Sequence, residues 1–288
     1  MSRAVRVFAL VALALWLPVV AGAQDLQGTL KKIKDSGTIT IGYREQSVPF
    51  SFKGTDGKPA GYSVDLCQRI ATGVQQQLKL PKLDVKWVAV TPETRVSSVV
   101  NGTIDLECGS TTATLSRQEK VDFTITTFVD GGSLLVADAS GIRELKDLSG
   151  KRIGIVPGTT TETALAAELR KAVITVQMVA VKDHADGLAA LEAGTVDAYA
   201  SDRVILIGLG RGSKDASKLS LSTQLFSHEP YAFMLRRGDA DFRLSANRAL
   251  SRIYRSEDIV RIYDKWFGEF GRPSIALQLM YAITVVPE

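Results

Sequence analysis

Arg95-Val-Ser-Ser-Val-Val-Asn-Gly-Thr-Ile-Asp-Leu106 and Gly187-Leu-Ala-Ala-Leu-Glu-Ala-Gly-Thr-Val-Asp-Ala198 read alike: an apolar helical pattern, a Gly stop, then Thr, a β-branched residue and Asp leading into a strand. The offset is constant, because Gly102 and Gly194, Asp105 and Asp197, and Ser110 and Asp202 are each separated by 92 residues. That spacing lies far beyond solenoid periods of about 20–50 residues, so it argues for two similar lobes, not a repeat array. Ser110 and Asp202 then fall just past the carboxyl ends of equivalent strands, the edge where open α/β sheets bind ligands. Two such edges facing each other make a cleft that grips its occupant from both sides.

Outward from these stretches, short β-rich runs alternate with helical patterns, which argues for an α/β chain with mainly parallel sheets. Residues 38–43 read as a strand, and 51–62, with Gly54, Asp56-Gly57 and Pro59, as a hairpin. Residues 63–78 read as a helix with Val64, Cys67, Ile70, Ala71 and Val74 on one face. A strand at 83–90, a helix at 93–100 and a strand at 103–108 follow. The second block begins near Leu134, with strands at 151–156 and 174–179 and helices at 160–169 and 186–193. Residues 241–267 read as helical, with Phe242, Ala246, Ala249, Leu250, Ile253, Ile259, Ile262 and Tyr263 as the buried stripe.

The first 23 residues read apart from the fold. Arg3 and Arg6 precede an apolar run at 7–15, and Ala21-Gly22-Ala23 fits a small-x-small cleavage site, the pattern of a secretory signal peptide. No Cys lies near that cut, so no lipid anchor is expected, and past residue 23 no apolar stretch reaches the roughly 18–20 residues that span a bilayer. A soluble, periplasmic chain is expected. With 288 residues, 45% apolar and 23% charged, disordered, collagen-like and disulfide-scaffold classes are excluded. The net charge of +4 falls to +2 without Arg3 and Arg6, and acids are interleaved with bases, so no nucleic-acid partner is expected. In an oxidising compartment Cys67 and Cys108 either bridge or remain two buried thiols. His184 and His228 belong to no ligand-spaced motif, so no metal and no other cofactor is expected.

Seven stretches carry a family resemblance: Gly42-Tyr-Arg-Glu-Gln-Ser-Val-Pro-Phe-Ser, Gly61-Tyr-Ser-Val-Asp-Leu, Asn101-Gly-Thr-Ile-Asp-Leu-Glu-Cys-Gly-Ser-Thr-Thr, Ser116-Arg-Gln-Glu-Lys, Pro157-Gly-Thr-Thr-Thr-Glu, Lys182-Asp-His-Ala-Asp and Tyr263-Asp-Lys-Trp-Phe. In these the chain resembles the family 3 periplasmic solute-binding proteins of ABC amino-acid importers, within them the glutamate/aspartate-binding branch. The resemblance implies a two-lobed periplasmic binding protein fold of type II, each lobe a mainly parallel sheet flanked by helices. It places two hinge crossings near residues 127–131 and 227–231, with lobe 1 as 24–129 plus 231–288 and lobe 2 as 130–230. It further implies a monomer without catalytic residues that hands L-glutamate or L-aspartate to a membrane ABC permease.

The residues support that chemistry. A buried ligand charge left without a partner costs on the order of 3–5 kcal/mol, so an acidic amino acid needs cations in excess. The resemblance gives Arg117 the α-carboxylate, which a guanidinium fork matches with two parallel hydrogen bonds; Ser116 with Glu119 also fits a helix capping box. Thr160, before an apolar helix whose N–H groups suit an anion, is implied to grip the same carboxylate; Thr159 with Glu162 also fits a capping box. Asp202 is implied to hold the ammonium, with the Ser110 carbonyl and Thr112 hydroxyl completing the shell, though Asp202 also fits an N-cap. Arg44, Arg95 and His184 are implied to face the side-chain carboxylate. On that reading three guanidinium groups set against Asp202 and a dicarboxylate leave a surplus of one positive charge with His184 neutral. Pro92 departs from the hydroxyl residue usual there, which leaves the preferred acid open.

The remaining features are bland. Gly208-Leu-Gly210-Arg-Gly212 lacks the spacing of a phosphate loop and reads as a loop after a helix, and Asn101-Gly-Thr is explained by the helix stop. Phe52 and Tyr62 fit core packing better than stacking on a ligand. Two other readings stay open: the same fold holding a neutral amino acid or an organic diacid, and an exported enzyme resembling cyclohexadienyl dehydratase, for which His184 or Glu45 could be the general acid.

Overall fold

The computed structural model describes residues 26–287, so the signal-peptide reading lies outside the described residues. Two five-stranded sheets of the same design organise the rest. The first runs Asp84–Ala89, Thr38–Tyr43, Leu106–Glu107, Met234–Arg236, Val121–Phe123, and the second Gln177–Ala180, Arg152–Ile155, Ala198–Asp202, Gly132–Ala137, Leu219–Leu221. In both, the first three strands are parallel and the fourth is antiparallel to both its neighbours. Leu106–Glu107 and Ala198–Asp202, which follow the two echoing turns, hold the same third place, so the 92-residue offset corresponds to a repeated βαβ arrangement.

The chain passes between the sheets twice, and the crossing strands Phe128–Asp130 and Glu229–Tyr231 pair antiparallel, Asp130 opposite Glu229. Aromatic rings hold this ladder. Phe50 lies 4.8 Å from Phe128 and 5.1 Å from Tyr231, Phe128 stacks on Phe267 at 5.1 Å, and the Tyr62 hydroxyl donates to the Thr127 carbonyl at 2.8 Å. Each fully buried ring of this kind stabilises by roughly 1.5–3 kcal/mol, so the crossing is a packed joint and not a loose tether. Phe52 rests on Trp266 at 5.7 Å. Tyr62 is fully buried in this aromatic cluster, so both serve packing.

The first strand shows why these residues fold so. In Thr38-Ile-Thr-Ile-Gly-Tyr, Ile39 and Ile41 are fully buried, and Gly42 makes room for Ile104, whose Cδ1 would lie 2.4 Å from a Cβ there. Helix Tyr62–Gln77 buries the expected Val64, Cys67, Ile70, Ala71 and Val74 against helix Ala240–Tyr254. Its first N–H groups are satisfied by the hairpin, Tyr62 donating to the Pro49 carbonyl at 2.9 Å and Ser63 to that of Phe50 at 2.8 Å. Cys67 and Cys108 form a disulfide that ties this helix to the end of strand Leu106–Glu107.

Four elements differ from the sequence expectation. The C-terminal helix divides into Ala240–Tyr254 and Asp258–Phe267, because the Ser256 hydroxyl donates to the Ile253 carbonyl and accepts from the Asp258 N–H, offering the backbone an alternative to the helix ladder. Helices Gly28–Ser36 and Ile275–Thr284 were not expected; each carries only a short buried stripe. Gly208, Gly210 and Gly212 belong to helix Arg203–Gly212 and not to a loop: Gly208 faces the first lobe, and a Cβ there would come within 3.1 Å of the Val48 carbonyl.

Candidate functional site

The carboxyl ends of both sheets face the gap between the lobes, and the expected residues converge there. Arg44 follows strand Thr38–Tyr43, its N–H donating to Ser51 Oγ at 2.9 Å, and Arg95 opens helix Arg95–Val100, its Nη1 donating to Thr111 Oγ1 at 2.6 Å. His184 opens helix His184–Glu192 in the second lobe, its Nδ1 2.7 Å from the Tyr199 hydroxyl. All three are buried, at 4%, 3% and 5% exposure, so none of them is a solvated surface group. They also act on one another. Burial and the Arg95 charge lower Arg44 to about 10, and burial with Arg44 and Arg95 lowers His184 to about 3, so the imidazole is neutral at physiological pH.

At the other end of the gap, Arg117 Nη1 donates to the Thr112 carbonyl at 2.7 Å, and burial and Arg95 lower its pKa to about 10. Thr114, and not Ser116, caps this short helix, accepting from the Arg117 N–H at 3.2 Å. The expected cap with Glu119 fails because Glu119 closes the helix at its other end. Thr159 caps helix Thr160–Lys171 by accepting from the Glu162 N–H at 3.2 Å, while the Glu162 carboxylate accepts from Gly158 at 2.9 Å. Thr160 is thereby left with its hydroxyl turned to the gap, 3.2 Å from that of Thr112.

Asp202 occupies an N-cap position but makes no cap hydrogen bond; its carboxylate accepts from the Tyr231 hydroxyl and from Thr161 Oγ1 at 2.9 Å. Burial and the neighbouring Glu229 charge raise its pKa. Asp130, at the first crossing, is pushed up to about 8 by burial and Asp202, so it is mainly protonated at neutral pH. Ser110 is buried just beyond strand Leu106–Glu107.

Besides Asp130, two further carboxylates escaped the sequence reading. Glu229, in the second crossing, accepts from Thr112 at 2.5 Å, Thr160 at 2.7 Å and Ser227 at 2.6 Å. Glu107 is fully buried, and neither of its oxygens has a hydrogen-bond partner among the described residues. Its charge is the leading influence holding up Arg95 against burial. The expected surplus of cations is therefore corrected: Arg44, Arg95 and Arg117 stand against Glu107, Asp202 and Glu229, and the walls balance before any ligand is added. The one signal available was a Glu beside Cys108 at a strand end, where an exposed charge has no room.

Pro92 lines a cavity of about 260 Å³ with Arg44, Gln46, Lys182 and Asp183, drawn from both lobes. Among the described residues no group of three or more His, Cys, Asp or Glu side chains could hold a metal, and no helix is long and apolar enough to cross a membrane.

Comparison with known proteins agrees with this architecture. Residues 39–269 match the bacterial extracellular solute-binding proteins, family 3. The chain is 41% identical over 262 residues to the L-glutamate/L-aspartate-binding protein of Pseudomonas aeruginosa, covering 91% of this chain and 86% of that one. It is 35% identical to the glutamate/aspartate import solute-binding protein of Salmonella typhimurium, covering 85% and 82%. Among solved structures, an ABC uptake transporter substrate-binding protein from Streptococcus pneumoniae with bound histidine superposes with a TM-score of 0.74 at 25% identity, covering 83% of this chain and 95% of that one.

Proposed function

This chain belongs to the bacterial extracellular solute-binding proteins, family 3, and from that premise we propose that it captures L-glutamate and L-aspartate in the periplasm and delivers them to an ABC permease. The observation that carries the reading is the convergence of Arg44, Arg95 and neutral His184, from two lobes, at one buried end of a gap whose other end holds Arg117 and Thr160. An amino acid laid along the gap directs its α-carboxylate to Arg117 and Thr160, its ammonium to Asp202, Ser110 and Thr112, and its side-chain carboxylate to Arg44, Arg95 and His184. The names of the Pseudomonas and Salmonella relatives support the same ligand class. Lobe 1 is 24–129 with 231–288 and lobe 2 is 130–230, closing about the paired crossings.

The chain carries out no chemistry in this reading. Of the two general acids that an enzyme reading offers, His184 and Glu45, His184 is lowered to about 3 by burial, Arg44 and Arg95, so it is a neutral imidazole and not an imidazolium acid at neutral pH. Incubation with prephenate or arogenate tests this, any turnover contradicting a pure receptor. Titration calorimetry with glutamate, aspartate, glutamine, asparagine and succinate tests the ligand. Low-micromolar or tighter binding of the two acids, about −8 kcal/mol or more favourable, is expected. Glutamine binding as tightly as glutamate contradicts the role of Arg44 and Arg95.

A further inference from the structure

Glu107, like Glu229, is a buried carboxylate that the proposed ligand set does not use. It ends the short strand Leu106–Glu107, is fully buried, and both carboxylate oxygens lack a hydrogen-bond partner among the described residues. Arg95 Nε is likewise buried and without a partner there. The next turn of chain is shaped to this group: a Cβ on Gly109 would lie 2.4 Å from Glu107 Oε1 and 2.9 Å from Arg44 Cγ, so any larger residue there would have to displace the carboxylate or the arginine stem. Of all neighbours, its charge is the first that opposes the burial penalty on Arg95, and it also supports Arg44 and Arg117. Close enough to be felt by three guanidinium groups, Glu107 is nevertheless within 4.0 Å of none of their nitrogens, since no ion pair joins them.

We infer that Glu107 is a specificity-determining residue, a fixed counter-anion that sets how strongly the site prefers a side-chain carboxylate over its amide. The inference rests on the ligand reading above. With Glu107 in place the walls balance, so glutamine leaves the closed site neutral and glutamate leaves it one charge negative. Remove that charge and the balance shifts further toward the acid: glutamate neutralises the site and glutamine leaves an uncompensated guanidinium. Glu107 thus moderates the acid preference that three arginines would otherwise impose, and holds them charged when no ligand is present.

The test is calorimetric titration of wild type, Glu107→Gln and Glu107→Asp with glutamate, glutamine, aspartate and asparagine. Removing one unit charge from these buried walls should raise the glutamate-to-glutamine affinity ratio of Glu107→Gln at least about tenfold. Glu107→Asp, which draws the carboxylate back by one methylene, should raise it less and in the same direction, and it decides the matter if Glu107→Gln does not fold. A purely structural role would weaken all four ligands together, and a ratio that is unchanged or lower in either variant overturns the inference. A second measurement needs no amino acid: sulfate should raise the Tm of the unliganded Gln variant more than that of wild type, and equal rises count against the counter-anion. If wild type binds neither acid, the ligand reading fails by itself, and the sulfate experiment still decides the role of Glu107.

Discussion

Thr112 and Thr160, from different lobes, stand hydroxyl to hydroxyl at 3.2 Å and both contact the same oxygen of Glu229. A residue of the crossing strand therefore clasps the two lobes in the closed arrangement at the place where the proposed α-carboxylate binds.

Glu229→Ala should loosen that clasp. Each charged hydrogen bond of this kind contributes about 1.5–3 kcal/mol, enough to shift a lobe equilibrium of comparable size. Small-angle scattering of the unliganded protein should show a larger radius of gyration in the variant, with ligand restoring the compact form; identical unliganded profiles contradict the clasp.

Arg117→Ala and Arg44→Ala should separate by ligand. Loss of Arg117 strips the α-carboxylate of its fork, costing every amino acid on the order of 3 kcal/mol, more than about a hundredfold. Loss of Arg44 should cost glutamate and aspartate a similar amount and spare glutamine. Calorimetry reads both, and equal losses across all ligands for both variants contradict the assignment.

The sequence carried the two-lobed plan, because Gly102 with Asp105 and Gly194 with Asp197 mark the same helix-to-strand turn twice. It also carried the arginines, whose planar forks leave few alternatives in such contexts. The counter-anions were not legible. Glu107 lies on a strand of two residues with no alternation to betray its face, and Glu229 takes its partners from segments 69 and 117 residues away. The break at Ser256 showed in the sequence only as a slip of the apolar stripe, since the six residues from Ile253 to Ile259 turn it by about 120°. Pairing of Cys67 with Cys108 depends on a helix meeting a strand end, which spacing does not encode.

His184 predicts an acid-side loss of stability. Its folded pKa of about 3 lies below the usual 6.5, so the unfolded chain binds the extra proton between those values and stability falls as pH drops through that window. From pH 7 to pH 5 this one group should cost about 2 kcal/mol. Denaturant titrations of wild type and His184→Gln should differ in pH slope over that range, the variant being flatter; parallel slopes contradict a buried neutral imidazole.

The Cys67–Cys108 disulfide closes a sequence separation of 41. Loop-closure entropy for that length corresponds to about 4 kcal/mol, with measured values commonly 2–4. The double Ser variant should unfold at lower denaturant by that amount and keep its ligand affinity within about threefold, because the bridge fastens the helix behind the site. An unchanged midpoint contradicts it.

The most direct measurement is a crystal structure of the protein with L-glutamate. The account predicts a closed gap with the side-chain carboxylate within hydrogen-bond distance of Arg44 and Arg95, and the α-carboxylate on Arg117. A ligand whose second carboxylate points to bulk water, or whose ends are exchanged, contradicts it.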